Sequence, residues 1–250
     1  MESRQIIINE SVISYSTAGR GDRSLIFLHG WRSNKEAWLP VAQLMENSGH
    51  RLIFIDLPGF GASEAPKQPY TLHDYAETVR IFAEKLDLKI HAVIGHSAGA
   101  RIAAKLAAES PDFMDKLVLV ASGGARPAFV GLKACLAKIA KPFFAPRFMT
   151  PLRKKMYAWM GAEDYLATPE LQKTFVNIIN ENLDPLLPRI KTDTLIVWGD
   201  KDVTAPLVYG KHMAHLILNA RLEVIEGTGH YCFSEQPEKF VALLTKNIAV

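Results

Sequence analysis

The chain has 250 residues, 48% of them hydrophobic and 22% charged, with a formal net charge of +3. That length allows one large domain or two small ones, and the composition supports a sizeable core without disulfide or metal staples. A charge this mild argues against nucleic acid as a partner, and no run approaches the roughly 18 apolar residues that a membrane-spanning helix needs.

The first ten residues, MESRQIIINE, lack the basic start, long apolar core and small-residue cleavage site of a secretory signal. The two cysteines, Cys135 and Cys232, lie far apart with no paired spacing, which predicts neither a zinc site nor a disulfide. A reducing, cytoplasmic setting is the expectation.

In chain order, QIIIN and VISYST read as an antiparallel hairpin turning at Glu10 and Ser11. SLIFLHG, RLIFIDL, IHAVIGH, KLVLVAS, TLIVWGD and RLEVIEG follow, each a short continuous run rich in Ile, Leu and Val. Continuous rather than alternating apolar runs suit strands buried on both faces of a parallel sheet. Helical patterns separate them. KEAWLPVAQLMEN requires Pro40 in its first turn or a kink. TLHDYAETVRIFAEKL opens with Thr71 and Asp74 spaced as a capping box. ARIAAKLAAES, PLVYGKHMAHLI and PEKFVALLTKNI complete the set. This alternation predicts an α/β fold: a mostly parallel, eight-stranded sheet with helices on both faces.

One stretch breaks the rhythm. After KLVLVAS and two glycines, no strand-like run appears until TLIVWGD, and the intervening sequence is helical and rich in proline. It is too long for a connecting loop. The expected organisation is a core of residues 1–124 and 189–250 with a helical cap inserted at 125–188.

Residues 95–99 read GHSAG, between the apolar run IHAVI and the helical ARIAAKLAAES. Gly-x-Ser-x-Gly arises by chance about 0.1 times in a chain of this length, so the pentapeptide alone is a moderate signal. Its setting strengthens it. A strand, a tight turn and a helix are the context in which a serine is exposed as a nucleophile. Small residues at Gly95, Ala98, Gly99 and Ala100 let the strand and helix approach closely.

A serine hydroxyl needs a base, and the base an orienting carboxylate. Past Ser97, Asp200 and Asp202 follow the strand ending in WG, and His230 sits in the glycine-rich loop after the next strand. Loops at the carboxyl ends of parallel strands are where such folds build sites. Between the two aspartates the local pattern does not choose, because a loop aspartate commonly caps a turn. His50 and His91 precede strands at the opposite end, and His73, His212 and His215 fall on predicted helices. The amide of Ala98 opens a helix beside Ser97, and the amide of Trp31 follows the His29–Gly30 turn; both are candidate donors to an oxyanion. Asp56, in DLPGFGAS, reads as a loop anchor.

In order, LHGW, DLPGFGAS, GHSAGA, LIVWGDKDVTAP and GTGHYCFSEQP resemble the α/β-hydrolase superfamily, in its compact serine-hydrolase branch with a helical cap. The resemblance covers nearly the whole chain. It implies a Ser97–His230–Asp202 triad, because the family places its acid three residues after the glycine of the W-G segment. Members commonly carry proline where this chain has Asp193. A serine nucleophile excludes the branches that use an aspartate, such as haloalkane dehalogenases and epoxide hydrolases.

The expected activity is hydrolysis of carboxylic esters of small to medium acyl groups, with no metal or other cofactor. The alternatives are C–C bond hydrolysis, thioester hydrolysis or acyl transfer by the same triad, and a non-enzymatic small-molecule receptor on the same fold. The substrate pocket is expected to include His29, Gly30, Phe129, Phe143 and Trp159. From Lys116 to Ala162 there are nine basic residues and no acidic one, which leaves six net negative charges on the rest of the chain. That run is read as a solvated face, an attractor of anionic substrates or a contact for anionic membrane. Partners are limited to a small-molecule ester substrate, with no integral membrane association, and the chain is a monomer or a homodimer.

Overall fold

The computed structural model describes residues 2–124 and 168–248. The chain opens with strands β1 (Glu2–Ile8) and β2 (Ser11–Ala18), paired antiparallel from Glu2–Thr17 to Ile8–Ser11. The hairpin turns at Asn9 and Glu10, both at positive φ, one residue earlier than the sequence pattern placed it. Left-handed backbone at both central positions matches the twist of the flanking strands, and asparagine tolerates it well.

Strands β3 (Arg23–Leu28), β4 (Arg51–Ile55), β5 (Lys89–His96), β6 (Lys116–Val120), β7 (Asp193–Gly199) and β8 (Ala220–Ile225) complete one eight-stranded sheet. Its order is β1-β2-β4-β3-β5-β6-β7-β8. Strand β2 pairs antiparallel with β4, and every later pairing is parallel. The six continuous apolar runs are therefore the parallel strands; from β3 to β7 their Leu, Ile, Val and Phe side chains are buried apart from Ile90, whereas in the edge strand β8 Leu222 is half-buried and Val224 exposed.

Helix α1 (Leu39–Met45) follows a short 3-10 turn at Lys35–Trp38, with Pro40 in its first turn, where a missing N–H costs nothing. Helix α2 (Leu72–Lys85) carries the expected capping box: Thr71 and Asp74 each accept from the other's amide. Helices α3 (Ala98–Glu109), α4 (Gln172–Asn180), α5 (Val208–Leu216), α6 (Cys232–Glu235) and α7 (Pro237–Ile248) follow. Helices α2 and α3 pack together in one layer and α1 and α7 in another. In the second layer the Trp38 ring lies 4.1 Å from Phe233 and 6.1 Å from Phe240, all three fully buried.

Of the expected cap, residues 168–188 are described and residues 125–167, with Phe129, Phe143 and Trp159, lie outside the described residues. Helix α4 is stitched to the core. Thr174 Oγ1 accepts from the Tyr70 amide (3.0 Å), and the Asn177 side-chain amide donates to the Tyr70 carbonyl (3.1 Å). The buried Arg101 guanidinium, one turn into α3, donates to the carbonyls of Ile178 and Glu181. At its stem the segment closes on itself, the Leu183 amide donating to the Gly124 carbonyl at 3.3 Å. Asp193, the departure from the family pattern, accepts an ion pair from Lys116 across the β6–β7 entrance (2.7 Å).

Candidate active site

Parallel pairing from β3 to β8 brings the loops after these strands to one end of the sheet. Four of those loops carry the residues singled out above: 29–34 after β3, Ser97 after β5, 200–205 after β7 and 226–231 after β8.

Ser97 sits between β5 and α3 with φ 51° and ψ −111°, a conformation non-glycine residues avoid. Two hydrogen bonds hold it there: its amide donates to the Val120 carbonyl (2.9 Å), and its carbonyl accepts from Arg101 (3.2 Å). The two motif glycines are required by contact. A side chain on Gly95 would strike the backbone of Gly99 and Ala100, and one on Gly99 would strike the carbonyls of Leu28 and His29. The Ser97 hydroxyl is half-buried and makes no hydrogen bond among the described residues.

His230 Nδ1 lies 2.8 Å from Asp202 Oδ2. Asp202 is an acceptor fixed from three sides. Its Oδ1 accepts from the amides of Thr204 (2.9 Å) and Ala205 (2.8 Å), and its side chain is fully buried. Asp200 is exposed and instead accepts from the Gly227 amide at 2.6 Å, bracing the 226–231 loop from below. The two neighbouring aspartates thus have separate tasks, one on the imidazole and one on the loop backbone.

With Nδ1 on a carboxylate, His230 Nε2 is the nitrogen left over, and it has no partner among the described residues. The neighbouring ring is His96, the residue before Ser97, tilted against His230 with centroids 4.8 Å apart. Thus the Asp202–His230 pair adjoins the Ser97 turn.

The Gly30–Trp31 turn lies against the same turn. A methyl group on Gly30 would come within 3.3 Å of Ser97 Cβ. Neither the Trp31 nor the Ala98 amide donates a hydrogen bond among the described residues, and Ala98 is the first residue of α3. Unpaired amides at a helix N-terminus carry a partial positive charge. Beside Trp31, the Phe60 ring (4.8 Å) and the Phe175 ring of α4 (5.1 Å) form an apolar wall. Sequence reading passed over both; the turn PGFG was the signal for Phe60, and nothing local marked Phe175.

His29 is a correction. Expected to border the pocket, it is 0% exposed, with Nδ1 donating to the Gly30 carbonyl (2.7 Å) and Nε2 accepting from Leu57 (3.0 Å). Burial pushes its pKa down to about 4, so it is a neutral strut with no ring nitrogen left for a substrate. Asp56 is an anchor, as expected. Its carboxylate accepts from Lys35 Nζ (2.6 Å), the Lys35 amide (2.8 Å) and the Ala62 amide (3.0 Å). Of the other histidines, His91 meets Asp115 and the Ile248 carbonyl, and His73 meets Glu109. Cys232 is buried, and burial pushes its thiol up to about 12, which makes it unreactive.

The model of the alpha/beta hydrolase family matches residues 25–243. The chain belongs to this family. It is 29% identical to the AB hydrolase superfamily protein YisY of Bacillus subtilis, over 90% of this chain and 91% of that one. It is also 26% identical to a 2-hydroxy-6-oxononadienedioate/2-hydroxy-6-oxononatrienedioate hydrolase of a Pseudomonas species, over 95% and 92% of the two chains. Among solved structures it superposes on a bacterial membrane phospholipase A with a TM-score of 0.79 and 26% identity, covering 99% of this chain and 85% of that one. Family membership implies hydrolase activity. The relatives include both ester and C–C hydrolases, and no described helix is long and apolar enough to cross a membrane.

Proposed function

We propose that this chain is a serine hydrolase that cleaves carboxylic esters of small to medium acyl groups through an acyl-enzyme. The observation that carries this reading is the 2.8 Å His230–Asp202 bond beside a serine held on a strained strand-to-helix turn. Ser97 Oγ attacks the ester carbonyl while His230 Nε2 takes its proton, and the buried Asp202 carboxylate holds the imidazole and stabilises its charged form. The carbonyl oxygen becomes an oxyanion, met by the amides of Ala98 and Trp31. As the tetrahedral intermediate collapses, His230 returns the proton to the leaving alcohol. Water then repeats the cycle on the acyl-enzyme. No cofactor enters these steps.

In p-nitrophenyl ester hydrolysis, Asp202→Asn is expected to lower kcat by about 10⁴-fold, since the amide no longer holds the imidazole in the required tautomer. Asp200→Asn keeps an acceptor for Gly227 and should stay within about tenfold of the parent. A larger loss in Asp200→Asn than in Asp202→Asn would reverse the assignment of the acid.

A second reading, hydrolysis of a C–C bond in a dienoic keto acid, is favoured by the Pseudomonas relative. A panel of p-nitrophenyl esters of graded acyl length and one ring-cleavage dienoate separates the two. Ester kcat/KM above dienoate kcat/KM is the expected order. The opposite order selects the C–C reading, and binding without turnover of either would overturn both.

A further inference from the structure

The backbone around His230 is held by groups that the catalytic scheme does not use. The buried His96 imidazole donates from Nε2 to the His230 carbonyl at 3.0 Å. The Glu235 carboxylate accepts from the amides on either side of His230: Gly229 through Oε2 (2.8 Å) and Tyr231 through Oε1 (3.2 Å). The peptide units 228–229 and 230–231 are therefore fixed by two side chains, one from the nucleophile turn and one from α6.

We propose that His96 and Glu235 are positioning residues for His230, setting the height and rotation of its peptide so that Nδ1 stays on Asp202 and Nε2 is kept free for Ser97. The proposal rests on the serine-hydrolase reading above. His96 suits the task because it is next in the chain to Ser97, so one residue couples the place of the nucleophile to the place of the base. Burial pushes the His96 pKa down to about 3, so its ring stays a neutral donor and adds no charge beside the imidazolium formed at His230. Its ring also packs at a tilt against Tyr231 and Phe233, both centroids at 4.9 Å, which restricts its rotation. Glu235 is exposed, but both its oxygens are committed to amides.

The test compares Glu235→Ala, His96→Leu and His96→Gln with the parent chain and Ser97→Ala. Hydrolysis of p-nitrophenyl butyrate is read as separate kcat and KM. Without substrate, the downfield ¹H–¹⁵N imidazole resonance of the proton shared by His230 and Asp202 is read in histidine-labelled protein, beside the melting temperature. A displacement of about 1 Å at a reacting group costs up to about 10²-fold in rate. Glu235→Ala should lower kcat about tenfold with KM and melting temperature unchanged, and His96→Leu about 10²-fold. His96→Gln, whose amide nitrogen can replace Nε2 as donor, should recover to within about threefold of the parent. The shared-proton resonance should broaden in Glu235→Ala and His96→Leu and return in His96→Gln. Unchanged kcat and an unchanged resonance in Glu235→Ala would overturn the proposal even if His96→Leu fails to fold. So would a His96→Gln variant as impaired as His96→Leu. A parent chain without turnover, or a Ser97→Ala variant that keeps it, removes the hydrolase reading instead, while the resonance still reports on the clamp.

Discussion

Replacing Ser97 with alanine should lower ester turnover by about 10⁵-fold or more, because the proposed mechanism forms the acyl-enzyme on its hydroxyl. Residual rate should reflect only the oxyanion donors and binding. Fluorophosphonate labelling of the parent, lost in the variant, checks that the same hydroxyl is the reactive one. The backbone gives this substitution a second, independent readout. At φ 51° and ψ −111° Ser97 occupies a region that costs a side chain about 1–3 kcal/mol. Alanine inherits that strain and glycine does not. Ser97→Gly should therefore be more stable than Ser97→Ala by about 1 kcal/mol, despite glycine's greater freedom in the unfolded chain. Equal urea midpoints for the two would mean that the turn stores no strain.

The second large effect is on stability. Lys35 and Asp56 are 5% and 0% exposed, and their 2.6 Å ion pair ties the Gly30–Trp31 loop to the DLPGFGAS loop. Burial alone would raise the Asp56 pKa, but the Lys35 ammonium and the amides of Ala62 and Lys35 hold it below the usual carboxylate range. A lowered acid pKa contributes stability above the ordinary carboxylate value, and that contribution is lost as pH falls through the lowered one. Lys35→Ala strands a buried carboxylate and should cost about 3–5 kcal/mol by urea unfolding at neutral pH. With burial less opposed, Asp56 should titrate higher and acid unfolding should begin at a higher pH. Lys35→Met with Asp56→Leu should recover much of the loss, since no buried charge remains. A single variant within about 0.5 kcal/mol of the parent would show the pair to be energetically idle.

How much of this could be read beforehand depended on distance along the chain. The sheet was legible because each parallel strand is a self-contained apolar run, and the Thr71–Asp74 cap because its partners are three residues apart. Ser97, Asp202 and His230 could be singled out as candidates because each follows a strand. Asp200 and Asp202 were separable only through the family resemblance, since both sit in one loop; the structure distinguishes them by what each side chain accepts from. Lys35 read as an ordinary helix residue, because its partner lies 21 positions away and only the β3–β4 pairing brings the two together. His96 stood at a motif position where residue type looked free, and Glu235 on a four-residue helix with no periodicity to announce it. His29 misled for a related reason. A polar residue at the end of a buried strand can face the cleft or turn back into the loops, and its partners, Gly30 and Leu57, are backbone groups that no sequence pattern displays.

The bond between Leu183 and Gly124 has a consequence for how such a protein can change. It joins Gly124, just past β6, to Leu183, upstream of β7. Closing a loop costs only about 0.6 kcal/mol more for each doubling of its length. Loop-closure entropy therefore sets little limit on the length of chain between those two residues, whereas α4 within it must keep its bonds to Tyr70 and Arg101. Ser97, Asp202 and His230 all lie outside it. Under the proposed mechanism, a change of length there leaves the three reacting side chains on the loops that already hold them.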